Sequence, residues 1–145
     1  MTRADLGDLP PMVDVELLPN NVSVDQAVAS LQFFLSIVEE GSGKAPIIYT
    51  YPSFWTHGMA NASLFTKQHL WIANYGTKRV DGGFEPRGIA PIIPGGWPTF
   101  SIWQNAVQPG VPGIQTLVDR DVVLLPSGVD LATFLTRPRD DPASP

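Results

Sequence analysis

The feature that most constrains the fold is a helical pattern with a short apolar run on each side. Ser23 and Gln26 form a capping box, and Gly41 ends the helical pattern. The runs at 11–16 and 46–51 are too short for helices. Strand, helix and strand in this order predict a βαβ unit, with two parallel strands joined by a right-handed crossover. The helix shows apolar residues at spacings of three or four: Ala27, Val28, Leu31, Phe34, Leu35 and Val38.

The rest of the chain predicts further strands without full-length helices between them. Strands are expected at 70–75, 99–104 and 117–124, and a short last helix at 130–135. Five Gly and four Pro in 81–98 indicate a long loop. The predicted fold class is therefore α/β, starting as a parallel crossover and ending as a β-rich meander.

Composition excludes several classes of protein. With 145 residues, 43% hydrophobic and 16% charged, the chain is expected to form a single globular domain. A formal charge of −5 argues against a nucleic-acid partner, and no apolar run is long enough for a membrane span. There is no cysteine, and His57 and His69 lack metal-ligand spacing, so neither a metal nor a cofactor is expected. The first residues show no signal peptide.

Two acids stand at the end of the first predicted strand. Side chains two apart in a strand leave from the same face, so Asp14 and Glu16 are expected to point the same way. Two close carboxyls raise one another's pKa, and a protonated Glu beside an ionised Asp suits glycosidic bond cleavage. The plain alternative is a strand end with two solvated acids.

Other candidates follow in the later strands. Asp119 is an acid within a β-branched run, where a salt bridge with Arg120 or a turn is the alternative. Aromatic rings suit sugar binding, although such residues also fill cores, and an amide suits a hydroxyl or an acetamido group unless it is buried against backbone. The candidate substrate-binding residues are Tyr49, Tyr51, Trp71, Tyr75, Trp103 and Gln104.

Five segments follow one another in the chain in a recognisable order. They are Leu9–Glu16, Pro46–Thr50, Leu70–Tyr75, Ser101–Gln104, and Val111–Ile114 together with Val118–Arg120. With these segments the chain resembles glycoside hydrolase family 25, the muramidase lysozymes, from about Leu9 to Leu135.

The resemblance implies an irregular (β/α) barrel, with parallel strands and helices first and antiparallel strands last. It implies hydrolysis of the β-1,4 bond between N-acetylmuramic acid and N-acetylglucosamine, with peptidoglycan glycan strands as the partner. Glu16 would be the general acid, and Asp14 would orient or stabilise the 2-acetamido group of the substrate if the sugar itself, rather than a protein carboxylate, supplies the nucleophile. The late acidic position of the family matches Asp119, while Asp121 stands where the family often has Asn.

The sequence departs from the family at its front, where the strands that open the barrel are not found. We therefore expect an incomplete barrel domain over 1–136, a disordered tail or linker stub at 137–145, impaired activity, and self-association through an exposed barrel edge. The resemblance implies action on cell walls or outside the cell. The alternatives are a peptidoglycan-binding remnant without catalysis and a barrel glycosidase acting on another polysaccharide.

Overall fold

The computed structural model describes residues 9–86, 88, 90–125 and 127–136. These residues form an α/β fold with one mixed sheet of seven strands and three helices packed beside it. The elements in chain order are β1 (Met12–Asp14), α1 (Val24–Ser42), β2 (Ile47–Thr50), α2 (Pro52–Gly58), β3 (Leu70–Ala73), β4 (Arg79–Val80), β5 (Gly83–Phe84), β6 (Ile102–Gln108), β7 (Val118–Val123) and α3 (Leu131–Thr136).

The predicted strand–helix–strand unit is present as β1, α1 and β2. The Ser23 hydroxyl accepts a hydrogen bond from the Gln26 N–H at 3.2 Å, and the Gln26 side chain accepts one from the Ser23 N–H at 2.9 Å, which completes the capping box. The helix continues past Gly41 to Ser42, and the next residue, Gly43, has the φ of 70° and left-handed conformation of a C-cap. The helix is therefore slightly longer than the sequence pattern predicts.

The sheet has the order β1-β2-β3-β6-β5-β4. The seventh strand, β7, also pairs with β6. The first four strands of this order are parallel to one another. The pairs β4–β5, β5–β6 and β6–β7 are antiparallel. Within the described residues the sheet does not close, and β1 pairs with β2 alone.

The two faces of the sheet have different roles. One face packs against α1 and α2 and forms the main core, while the other face carries a smaller cluster of Ile47, Ile102 and Phe134 from α3. The buried members of the main core are Leu31, Leu35, Ile48, Trp55, Met59, Phe65, Leu70, Ile72, Trp97 and Trp103.

A hairpin lies where the sequence predicts only a loop. β4 and β5 are joined by Asp81 and Gly82, which both have positive φ, 49° and 85°. A two-residue turn with positive φ at both positions is the type I′ hairpin turn, for which Asp-Gly is a favoured pair. The predicted tail at 137–145 lies outside the described residues.

Candidate active site

Alternation along β1 places the two acids of the first strand away from the main core. Val13 and Val15 pack against that core, so Asp14 and Glu16 leave from the opposite face of the strand. The ladder with β2 extends past Asp14, because the Val15 N–H donates to the Tyr49 carbonyl at 2.9 Å. We call the face that carries Asp14, Tyr49 and Gln104 the site face.

Glu16 has a raised pKa. Its side chain is partly buried, and burial disfavours the charged form of a carboxyl group. The negative charge of Asp14 raises the pKa of Glu16 further. Glu16 therefore holds its proton to a higher pH than an ordinary glutamic acid, as a general acid must.

Two tyrosines meet one glutamine at the centre of the site face. The Tyr49 hydroxyl donates to Gln104 Oε1 at 2.7 Å, and the Tyr75 hydroxyl donates to the same oxygen. Gln104 is only 4% exposed. We call these three residues the tyrosine–glutamine cluster. It joins three parts of the sheet, which are β2, β6 and the segment that follows β3.

A second acidic pair lies on β7. Asp121 is opposite Gln104 in the β6–β7 register and accepts a hydrogen bond from Trp71 Nε1 at 2.8 Å. Burial raises the pKa of Asp121, the bond from Trp71 lowers it, and the charge of Asp119 raises it. Asp119 lies two residues earlier on the same strand and is exposed. The sequence analysis names Asp121 without making it a site residue, although alternation puts it on the same strand face as Asp119.

Glu16, which follows β1, and Asp119, on β7, both affect Tyr49 and Tyr75. Burial is the main cause that raises the pKa of both Tyr49 and Tyr75. The charges of Glu16 and Asp119 add to this increase in each tyrosine. The carboxyl groups of Glu16 and Asp119 are therefore close enough to the tyrosine–glutamine cluster to influence it electrostatically.

A cavity of about 820 Å³ opens beside Glu16. Of the predicted site residues, Glu16, Tyr51 and Tyr75 line this cavity. Asp14, Asp119 and the other candidates are not in its described lining. The lining is completed by Pro52, Ser53, Thr56, His57, Ala73, Asn74, Gly76, Thr77, Phe84 and Ile92.

Aromatic rings form one wall of the cavity. The ring of Phe84 stacks on that of Tyr75 with centroids 5.6 Å apart, and Arg79 lies 5.2 Å from the centroid of Phe84. Tyr51 contacts Phe54 at 5.8 Å between centroids. Sequence reasoning missed Phe84, because its strand lies in the segment that was predicted as a loop. The Asp-Gly pair before it was the available signal.

Trp103, a predicted substrate-binding residue, lies in the main core and not in the described lining of the cavity. Its side chain is 5% exposed in the main core, on the face opposite to that of its neighbour Gln104. Its indole N–H donates to the Asn74 carbonyl at 3.0 Å. Trp103 therefore holds the segment before Tyr75 rather than contacting the cavity.

Within the described residues, no group of three His, Asp or Glu side chains is arranged to hold a metal ion. His69 is buried, and its Nδ1 lies 2.7 Å from the Ser101 hydroxyl. His57 is exposed and lines the cavity at the end of α2. In the part of the chain that the structure describes, no helix has the length and apolar character that a membrane span requires.

The site lies at the carboxyl ends of parallel strands, which is the usual place of active sites in α/β enzymes. Residues 1–114 match the sequence model of the family described as "Glycosyl hydrolases family 25". The chain belongs to this family.

Individual relatives support this membership. The chain is 32% identical to the N,O-diacetylmuramidase of Chalaropsis sp over 105 residues, which cover 68% of this chain and 44% of that protein. It is similar to the family GH25 lysozyme from Aspergillus fumigatus, with a TM-score of 0.61, 29% identity, and coverage of 82% of this chain and 53% of the other. It is also similar to the bacterial lysozyme from Streptomyces coelicolor, with a TM-score of 0.66 and 26% identity, and the match covers 79% of this chain and 51% of the other. The chain thus spans about half the length of the relatives that it matches.

Proposed function

We propose that this chain carries part of the active site of a peptidoglycan hydrolase, which cleaves the β-1,4 bond between N-acetylmuramic acid and N-acetylglucosamine. The observation that carries the proposal is Glu16, a carboxyl group with a raised pKa that lines a large cavity beside Asp14. Family membership and the muramidase and lysozyme relatives support the choice of substrate.

In the proposed mechanism, Glu16 donates its proton to the glycosidic oxygen as the bond to the anomeric carbon breaks. The carbonyl oxygen of the 2-acetamido group attacks that carbon from the other side, and Asp14 accepts a hydrogen bond from the acetamido N–H. Water then attacks the anomeric carbon as its bond to the acetamido oxygen breaks, which restores the acetamido group, and the Glu16 carboxylate takes a proton from that water. Asp119 stabilises the positive charge that develops on the sugar ring.

The cavity has a suitable size and lining for sugar rings. Its volume of about 820 Å³ lies within the range of small-ligand sites. Tyr51, Tyr75 and Phe84 offer aromatic surface for the apolar faces of sugars. We propose Tyr49, Trp71 and Gln104 as further contacts on the site face.

The test is Glu16→Gln, assayed by the release of reducing ends from purified cell walls. We expect the rate to fall about 10²- to 10⁴-fold, the usual contribution of general acid catalysis. Glu40→Gln is the control, because Glu40 is exposed near the end of α1, and it should leave the rate unchanged. Equal rates for the Glu16 variant and the unsubstituted chain would overturn the assignment. Chitin oligomers assayed in parallel would identify a glycosidase that prefers another polysaccharide.

A second candidate function is binding to peptidoglycan without hydrolysis. It is favoured by the coverage of about half of each relative and by a sheet that does not close within the described residues. Co-sedimentation with cell walls in the absence of released reducing ends would support it. Trp71→Ala should then weaken binding.

We also propose that residues 1–136 form part of an irregular barrel that acts on cell walls, followed by a tail at 137–145. A polypeptide made only of these 145 residues should hydrolyse walls weakly and associate with a second copy of itself. The reason is that β1 presents unpaired edge groups, and α1 exposes apolar side chains such as Phe33 and Ile37.

A further inference from the structure

Arg79 is a cation that lies on an aromatic ring of the cavity wall. It stands directly opposite Phe84 in the β4–β5 hairpin, and its guanidinium carbon lies 5.2 Å from the centroid of that ring. Phe84 lines the cavity, and so does Thr77, two residues before Arg79. Arg79 is exposed to solvent. A ligand that lies on Phe84 therefore comes within reach of the guanidinium.

The hairpin gives this guanidinium a fixed place. The Gly76 N–H donates to the Glu85 carbonyl at 2.8 Å, and the Glu85 N–H donates to the Lys78 carbonyl at 3.1 Å. The ring of Phe84 is held in turn by Tyr75, because the two rings stack with centroids 5.6 Å apart. A ligand that binds the guanidinium therefore loses little free energy in ordering the hairpin.

Arg79 has no carboxylate partner within the part of the chain that the structure describes. No ion pair joins it to an acid there, although Asp81 and Glu85 belong to the same hairpin. A guanidinium has five N–H donors, and a contact with the face of a ring leaves them available. Arg79 can therefore donate to an anionic group of a ligand, although the whole chain has a formal charge of −5.

The acids of the site disfavour an anionic group elsewhere in the cavity. Glu16 lines the cavity, and the charge of Asp14 acts on it. Like charges repel more strongly in a partly desolvated site than in water. N-acetylmuramic acid carries a lactyl substituent with a carboxyl group, which N-acetylglucosamine lacks. The hairpin side of the cavity is therefore the favourable place for that carboxylate.

We propose that Arg79 is a specificity-determining residue, which binds a carboxylate on the lactyl substituent of a muramyl ring that lies against Phe84. The inference rests on the proposed function, because it takes a muramyl glycan as the ligand. It adds a specificity to that function: the site prefers a glycan with lactyl carboxylates over the same glycan with neutral lactyl amides. In glycan that bears peptides, the carboxylate would be one of the peptide.

The first test measures binding by calorimetry in the Glu16→Gln background. Four oligomers of equal length are compared: a muramyl glycan with free lactyl carboxylates, the same glycan with neutral lactyl amides, the same glycan with one alanine on each lactyl group, and a chitin oligomer. We expect the free acid to bind about fivefold more tightly than the neutral amide, as a well-placed exposed ion pair allows. The alanine-bearing glycan distinguishes the lactyl carboxylate from a peptide carboxylate as the group that is bound.

Variants of Arg79 assign the preference to its charge. Arg79→Gln should remove the preference for the free acid over the neutral amide, whereas Arg79→Lys should keep most of it, because the positive charge remains. Lys44→Gln is the control, since it removes the same charge before β2, at the amino end of the parallel strands, and should leave the preference unchanged. High salt should reduce the preference in the protein with Arg79 intact, because an exposed ion pair is screened.

A purely structural role of Arg79, as a support for Phe84, predicts a different result. All four oligomers would then bind more weakly by the same factor in Arg79→Gln, and the unchanged ratio would overturn the inference. A preference that does not respond to salt would overturn it too. Thermal melting identifies a variant that fails to fold, and in that case Arg79→Lys and the salt series decide.

The outcomes separate this inference from the proposed function. A preference that persists in Arg79→Gln overturns the inference, even if Glu16→Gln abolishes hydrolysis. His57 also lines the cavity, and a preference lost in His57→Gln but kept in Arg79→Gln would assign the carboxylate to that histidine instead. A preference lost in Arg79→Gln and kept in the control supports the inference, even if the unsubstituted chain releases no reducing ends. Failure of all four oligomers to bind overturns it.

Discussion

At the scale of single residues, Asp14 and Glu16 show how two acids on one strand acquire different properties. Glu16 is partly buried beside the cavity, whereas Asp14 is exposed at the end of β1. Burial and the charge of Asp14 both favour the protonated form of Glu16. The same pair therefore provides an acid and a neighbouring negative charge.

This arrangement predicts the pH dependence of hydrolysis. Because the pKa of Glu16 is raised, activity should persist above the ordinary pKa of a glutamic acid and fall as the pH rises through the raised value. Asp14→Asn removes one cause of the increase, so the alkaline limb of the pH–rate profile should move to lower pH, together with a lower maximal rate. Profiles of kcat/KM for both proteins measure this. An alkaline limb at the same pH in both would contradict the coupling.

The position of Trp103 leads to a prediction about stability. Trp103→Phe removes a buried indole and its hydrogen bond to Asn74, so the free energy of unfolding should fall by about 1–3 kcal/mol. Urea denaturation gives this value. Phe33→Leu, on the exposed side of α1, should change it by less than about 0.5 kcal/mol. A loss of sugar binding without loss of stability in the Trp103 variant would contradict this structural role and support Trp103 as a substrate contact.

The face of Trp103 could not be read from the sequence, for a physical reason. Alternation identifies a face only when one side of a strand is polar, as in β1. Residues 102–106 are buried without interruption, so both faces look alike in the sequence. The acids Asp14 and Glu16 were placed on one face because the apolar Val13 and Val15 alternate with them.

At the scale of elements, local signals predict some segments and miss others. The capping box predicts the start of α1 correctly, because it depends on residues three apart. β6 begins at Ile102, three residues later than predicted, and continues to Gln108, where it pairs with β5 and β7. The β4–β5 hairpin has two residues in each strand, too few for a hydrophobic pattern.

The hairpin leads to a prediction at this scale. A Cβ atom on Gly83 would lie 1.9 Å from the Val107 carbonyl oxygen, so Gly83→Ala must disrupt the contact of β5 with β6. We expect a loss of about 1–3 kcal/mol in the free energy of unfolding and weaker binding of glycan, because Phe84 follows directly in the cavity wall. Gly88→Ala has open space around it and should be neutral. Urea denaturation and calorimetry test both, and equal stability of the two variants would contradict the account.

At the scale of the whole molecule, the open edge of the sheet determines how the isolated chain should behave. Met12 lies on β1, which pairs with β2 alone within the described residues, and its side chain is exposed. Unpaired strand edges template pairing with another chain, and lysine on an edge opposes it. The family could be inferred from sequence motifs in a fixed order. The pairing at the β1 edge could not, because it depends on residues that are far apart in sequence.

We therefore expect the 145-residue chain to self-associate as its concentration rises, and Met12→Lys to shift it toward the monomer. Size-exclusion chromatography with light scattering over a wide range of concentration measures this. Gln32→Lys adds the same charge on α1, away from the strand edge, and should have a smaller effect. An unsubstituted chain that stays monomeric throughout would contradict the prediction.

The central position of β6 has a consequence for the order of events during synthesis. β6 pairs with β3, β5 and β7 and ends at Gln108. The strands that carry the early acids are therefore connected to β7 only after β6 has been made. The ribosome must therefore synthesise more than a hundred residues after Glu16 before Asp119 can pair into the same sheet. Until β6 is available, the parallel strands made earlier have an unpaired edge. We expect chaperones to bind the growing chain mainly in this interval.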